Sequence, residues 1–225
     1  MTTRWITFDC FGTLVDWNRG FEAILRPLFG KRTAEMIREY HGFERQLEKE
    51  KPHQLYKDVL AGGLKLAAEK LRIALNDAEA RALPQAWGKM TVFPDVEEML
   101  AELRTMGCKL AVLTNCDDDL FAQTQRNFQK PFDLVITAEQ VRDYKPSLAH
   151  FRRFAEVTGA SPHDWVHVAC SWYHDIAPAR EMGIPRVWLD RDKTGDDAGA
   201  ATVRVEMSAE VPNAIQRIDS GRSGA

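Results

Sequence analysis

Five short apolar runs, at residues 5–8, 109–113, 133–137, 165–169 and 186–189, are each stopped by a polar residue and separated by stretches of helical spacing. Runs this short and this apolar fit strands buried on both faces, and parallel strands need a crossover, usually a helix, between them. The pattern therefore predicts an α/β fold with a parallel sheet covered on both sides. Pro94-Asp95 opens a helix that ends at Gly107, Asp117 is placed to cap the next helix, and Ser147 begins another. Residues 202–206 read as a last edge strand, 190–201 as a surface loop rich in Asp, Gly and Ala, and 220–225 as a frayed end.

Between the first two strands the pattern is different. Phe21, Ile24, Leu25 and Leu28, then Leu55, Val59, Leu60, Leu64, Leu66 and Leu71, recur at helical spacing with no strand among them. Residues 16–90 are thus predicted to be a helical insertion, with the core divided into 1–15 and 91–225. Gly62-Gly63 predicts a break or kink in one of these helices, because each glycine costs about 1 kcal/mol relative to alanine.

A chain of 225 residues with 44% hydrophobic content buries a substantial core. A net charge of −3 argues against nucleic acid as a partner, and the absence of a long apolar span argues against a membrane. A small molecule is the expected partner. Cys10, Cys108, Cys116 and Cys170 form no CxxC pair, and no apolar leader follows Met1, so a cytoplasmic protein with reduced thiols is expected.

In a parallel sheet, ligands bind beyond the carboxyl ends of the strands. The polar residues there are Asp9 and Thr13 after the first strand, Thr114 and Asn115 after the second, Lys145 after the third, and Ser171, His174 and Asp175 after the fourth. Each has a plainer role open to it. Asp9 fits a turn, Thr114 and Asn115 fit caps of the helix near Asp117, and Asp175 fits a cap of the helix running to Gly183. His163 and His167 have metal-ligand spacing for a helix, but they fall in or beside a strand with no third ligand, so no metal is expected. Cys10 is expected to pack into the core.

The segment Asp9-Cys10-Phe11-Gly12-Thr13-Leu14-Val15-Asp16 resembles the first motif of the haloacid dehalogenase superfamily. Thr114-Asn115 resembles the second motif, Lys145-Pro146 the third, and Asp175 the terminal acid of the fourth, so the resemblance spans essentially the whole chain. It implies a Rossmann-like core, a helical cap at 16–90 and an active site in the cleft between them. It also implies that Asp9 is a nucleophile, with Lys145, Thr13 and Asp175 as catalytic partners. At about 4 Å and an effective dielectric near 20, a lysine favours a charged carboxylate by roughly 4 kcal/mol before desolvation is subtracted. Backbone N–H groups of the turn at Phe11, Gly12 and Thr13 are expected to hold an anionic substrate group.

The phosphatase branch of that superfamily has a proton-transferring aspartate two residues after the nucleophile, where this chain has Phe11. It also pairs two acids to hold magnesium, where this chain has Asp175 with Cys170 five residues earlier. Both departures favour the 2-haloacid dehalogenase branch, whose halide leaves without a proton and which needs no cofactor. Magnesium enters only under the phosphatase alternative. A third alternative is a ligand-binding member with impaired catalysis.

Aligning Gln46-Leu47-Glu48 with the cap helix of that branch puts Phe43 where a halide-binding arginine is usual. The same comparison puts Phe151 at a tyrosine position and Trp172 at an asparagine position. The expected substrate-binding set is Phe11, Gly12, Phe43, Thr114, Asn115, Ser171 and Trp172, giving a more apolar pocket for the leaving group. Arg38 or Arg45 could reach in from another turn of the cap helix, but a solvated place on that charged helix is the expected one. The resemblance is compatible with a homodimer.

Overall fold

A computed structural model describes residues 4–195 and 199–222. Six parallel strands form one sheet: β1 (Trp5–Phe8), β2 (Lys109–Thr114), β3 (Leu134–Thr137), β4 (Trp165–Ala169), β5 (Arg186–Leu189) and β6 (Val203–Val205). Their order across the sheet is β3-β2-β1-β4-β5-β6, so the first strand made is central, flanked by β2 and β4. Ile6, Phe8, Leu110, Val112, Val166 and Val168 are all fully buried, which matches the apolar runs that mark these strands. The edge strand expected near 202–206 is present as β6. The loop and frayed end expected at 190–201 and 220–225 fall partly outside the described residues.

The segment between β1 and β2 is helical: α1 (Trp17–Phe29), α2 (Thr33–Leu47), α3 (Tyr56–Lys70), α4 (Asp77–Ala80) and α5 (Ala82–Gln85). Helices α6 (Val96–Thr105), α7 (Asp118–Gln125), α8 (Ala138–Val141), α9 (Ala149–Thr158), α10 (Ala177–Glu181) and α11 (Val211–Arg222) accompany the sheet. Among the described residues, no helix is long and apolar enough to cross a membrane.

Two local expectations are overturned. Helix α3 runs unbroken through Gly62 and Gly63. A Cβ on Gly63 would stand 3.0 Å from the Tyr40 ring, so the glycine lets α3 pack closely on α2, and that packing outweighs its low helix propensity. Asp117 precedes α7 but makes no side-chain cap there. Its carboxylate instead accepts the backbone N–H of Tyr56 (2.7 Å) and of Lys57 (2.9 Å), capping α3 from across the fold. Leu55, the residue at that helix start, has no side chain able to do so.

Candidate active site

The chain turns sharply where β1 ends. Leu14 and Val15 both donate to the Cys10 carbonyl, and Gly12 N–H donates to the Val15 carbonyl at 2.8 Å. Gly12 has φ +93°, and a Cβ on it would lie 2.8 Å from Cys170 Sγ, so only glycine fits. Its N–H is spent inside the turn and does not face the cleft, which corrects its assignment as a substrate contact.

The turn presents Asp9 at the sheet's carboxyl edge, 8% exposed. Thr13 donates to Asp9 Oδ2 at 2.8 Å, and its own oxygen accepts Cys170 N–H at 2.9 Å, so the direction of the Thr13 bond is fixed. Lys145 Nζ donates to Asp9 Oδ1 (2.9 Å), the Leu113 carbonyl (2.9 Å) and Asp175 Oδ1 (2.6 Å), one acceptor for each of its protons. Asn115 anchors the lysine backbone: its Oδ1 accepts Lys145 N–H at 2.7 Å and its Nδ2 donates to the Lys145 carbonyl at 3.1 Å. Neither Asn115 nor Asp175 caps a helix. Asp175 is fully buried against Lys145 and His167.

Charge decides protonation here. Burial works to raise the Asp175 carboxyl, but Lys145 and then His167 outweigh it and bring it from 3.8 to about 2. Burial likewise works to lower Lys145, and Asp175 and Asp9 outweigh it, so the ammonium is held above its ordinary range. Burial pushes the Cys170 thiol up to about 12 and the Cys10 thiol well above its ordinary value, so both are poor nucleophiles.

A cleft of about 390 Å³ opens over Asp9. Thr114, Asn115, Lys145, Ser171, His174 and Asp175 line its floor. Ser171 Oγ accepts His174 N–H at 3.1 Å, which starts the π-helical turn Trp172–Ile176, and burial lowers the His174 imidazole. The helical segment supplies the opposite wall, with Trp17, Phe21, Tyr56 and Trp87 as aromatic surface. Phe11 joins them, edge-on to Trp87 at 4.8 Å.

His41, Glu44, Arg45 and Glu48 also face the cleft from α2 and its end, spaced as one face of a helix. Glu44 accepts the hydroxyls of Tyr40 and Tyr56 and lies 3.0 Å from His41 Nδ1. Burial, then the Glu44 charge, raises the Glu48 carboxyl to about 8.

Three expected wall residues lie elsewhere. Phe43 is off the α2 face that meets the cleft, and its ring packs beside Lys70, 5.9 Å from Nζ. Phe151 points from α9 into the core, 5.0 Å from the His167 ring. Trp172 packs with the Ile176 and Trp188 cluster. Of the two arginines considered for the cap helix, Arg45 lines the cleft and a neighbouring cavity of about 1040 Å³, against the expectation that it is solvated. Sequence reading also missed Arg191, which is held by Asp95 and donates to the Thr13 carbonyl at 3.2 Å, bracing the Asp9 turn.

Magnesium needs several hard oxygen donors in near-octahedral order. Here the Lys145 ammonium already lies between Asp9 and Asp175, and a protonated thiol stands at Cys170. The donor set does not fit the ion.

Residues 3–183 match the sequence model of the haloacid dehalogenase-like hydrolases. Haloacetate dehalogenase H-2 of Moraxella sp. is 24% identical over 83% of this chain and 85% of its own length. (S)-2-haloacid dehalogenase H-109 of Pseudomonas putida is 25% identical over 88% and 91%. A phosphoserine phosphatase of Thermus thermophilus is 30% identical over 58% and 57%. Among solved structures, the L-2-haloacid dehalogenase of Xanthobacter autotrophicus with chloropropionic acid covalently bound superposes with TM-score 0.82 at 19% identity, covering 95% of this chain and 98% of that one. At that identity the likeness is one of fold.

Proposed function

This chain belongs to the haloacid dehalogenase-like hydrolase family, and from that premise we propose that it removes halide from a short 2-haloacid through an aspartyl ester on Asp9. The observation that carries this reading is the setting of Asp9. Its two oxygens are held by Lys145 and Thr13 beneath an aromatic cleft, and Phe11 stands where a proton-transferring acid would be needed for an alcohol leaving group. In this reading Asp9 displaces halide from the carbon beside the substrate carboxylate. Water then attacks the acyl carbon of the ester, releasing a 2-hydroxyacid and restoring Asp9. The helices at 16–90 act as the cap. Their aromatic wall forms the halide's surroundings in place of the expected Phe43, Phe151 and Trp172. The dehalogenase names of the full-length relatives support this branch.

One observation favours a second reading. Glu48 on the cleft wall, its carboxyl raised to about 8, is an acid suited to a leaving group that needs a proton, as a phosphate ester's alcohol does. A panel of 2-haloacids and phosphate esters, assayed with and without chelator, separates the two. Halide release unaffected by chelator is the expected result, and phosphate release without any halide release would replace the first reading by the second.

A further inference from the structure

The two histidines four residues apart are not a metal pair, yet His167 has a place in the site. It lies on central strand β4, fully buried, with its ring spanning from β1 to the π-helical turn. His167 Nε2 is 3.1 Å from Asp175 Oδ1, the same oxygen that receives Lys145 Nζ. On its other side, Nδ1 is 2.8 Å from Thr7 Oγ1. Thr7 Oγ1 in turn accepts the Trp165 indole N–H at 2.6 Å.

These partners determine which nitrogen carries the proton. Asp175 is a carboxylate and only accepts, so Nε2 must be the donor. Thr7 already accepts from Trp165, and the alternative acceptor for its own proton, the Val166 carbonyl, is 3.5 Å away. The short contact at 2.8 Å is assigned as Thr7 O–H to Nδ1, with Nε2 carrying the hydrogen donated to Asp175. The edge of the Phe151 ring, 5.0 Å away, closes a further side without any charge.

We propose that His167 is a positioning residue for the Asp9–Lys145 pair. Thr7 fixes the tautomer, the tautomer fixes Asp175 Oδ1, and that oxygen draws one ammonium proton of Lys145 so that another is aimed at Asp9. Among the described residues Asp175 Oδ2 has no hydrogen-bond partner, so the bonds that orient this carboxylate are those of His167 and Lys145 to Oδ1. Without His167, the ammonium and carboxylate move together, and Asp9 loses its fixed donor. The link from Asp9 to turnover rests on the function proposed above; the tautomer does not.

Two measurements test this. In the wild-type protein labelled with nitrogen-15 at histidine, the His167 resonances are expected to show an unprotonated Nδ1 and a protonated Nε2 at neutral pH. An Nδ1–H tautomer or an imidazolium would overturn the proposal whatever the enzyme's activity. In kinetics on whichever substrate of the panel is turned over, His167→Phe is expected to lower kcat by about a hundredfold with KM within about twofold, as for a small misplacement of reacting groups. His167→Gln, which keeps a donor near Nε2, is expected to recover most of that loss. Thr7→Val, which preserves shape and removes only the hydroxyl, is expected to lower kcat in the same direction as a check against misfolding of the Phe variant. Folded Phe and Val variants with unchanged kcat would refute the role, whereas a silent wild-type enzyme on the whole panel would refute the substrate reading and leave the tautomer result to decide this one.

Discussion

Replacing Lys145 with Met removes a buried ammonium while leaving both of its carboxylates in place. Nζ lies 2.9 Å from Asp9 and 2.6 Å from Asp175. At such separations and an effective dielectric near 20, each attraction is about 6 kcal/mol before desolvation. Desolvation offsets much of this, and removing one partner of a buried pair typically destabilises by about 3–5 kcal/mol. Met fills a similar volume, so the loss is electrostatic rather than a cavity effect. The variant is therefore expected to be about 3–5 kcal/mol less stable at neutral pH, with Tm lower by roughly 10 °C for a chain of this size.

The pH dependence has a definite sign. In the native protein the Asp175 carboxyl is lowered from 3.8 to about 2, so its contribution is present above the unfolded value and is lost as pH falls from there through the folded one. In the variant the same buried carboxyl lacks its principal cation and rises, so protonation relieves it. The deficit against the native protein should shrink between neutral pH and about pH 3. Urea unfolding followed by circular dichroism at both pH values measures it. A deficit under about 1 kcal/mol at neutral pH, or one that is the same at pH 3, would refute the reasoning.

Asp9→Asn keeps the shape of the side chain and is expected to abolish turnover while the circular dichroism spectrum is unchanged; comparable activity would exclude Asp9 as nucleophile. A single turnover in oxygen-18 water should place label on Asp9 and not in the first product, as read by mass spectrometry of the active-site peptide. Asp117→Ala removes both acceptors from the start of α3 and is expected to cost about 1–2 kcal/mol in urea unfolding, with α7 unaffected. Bromo- and chloroacids should react faster than fluoroacids, because the aromatic wall offers little to offset the lost hydration of fluoride; halide-release assays in which fluoroacids are fastest would contradict this.

The strand ends were legible because each apolar run stops at the residue that leaves the sheet, which places Asp9 and Thr114, while Lys145 and Asp175 stand further along the loops after β3 and β4 and were picked out by their motifs. The cleft's far wall was not. Which turn of α2 faces Asp9 depends on how two layers pack, and a register taken from Gln46-Leu47-Glu48 selected Phe43 instead of the face carrying His41, Glu44, Arg45 and Glu48. Phe151 and Trp172 are near the right loops in sequence, but their side chains complete the core. Asp117 was read as a local cap because sequence shows only near neighbours, while its actual partners lie 60 and 61 positions away. His167 was dismissed as a metal ligand, and its hydrogen-bond partners on β1 and beyond β4 emerge only when the strands pair.

The central place of β1 has a consequence for how the chain is made. Synthesis delivers this apolar strand first, yet its neighbours begin only at residues 109 and 165. Until they emerge from the ribosome, this central strand of the sheet has two open edges and nothing to pair with. The sheet cannot close progressively from its first strand outward. It must wait for most of the polypeptide, so nascent chains stalled before β4 are the species most exposed to aggregation and most dependent on chaperones.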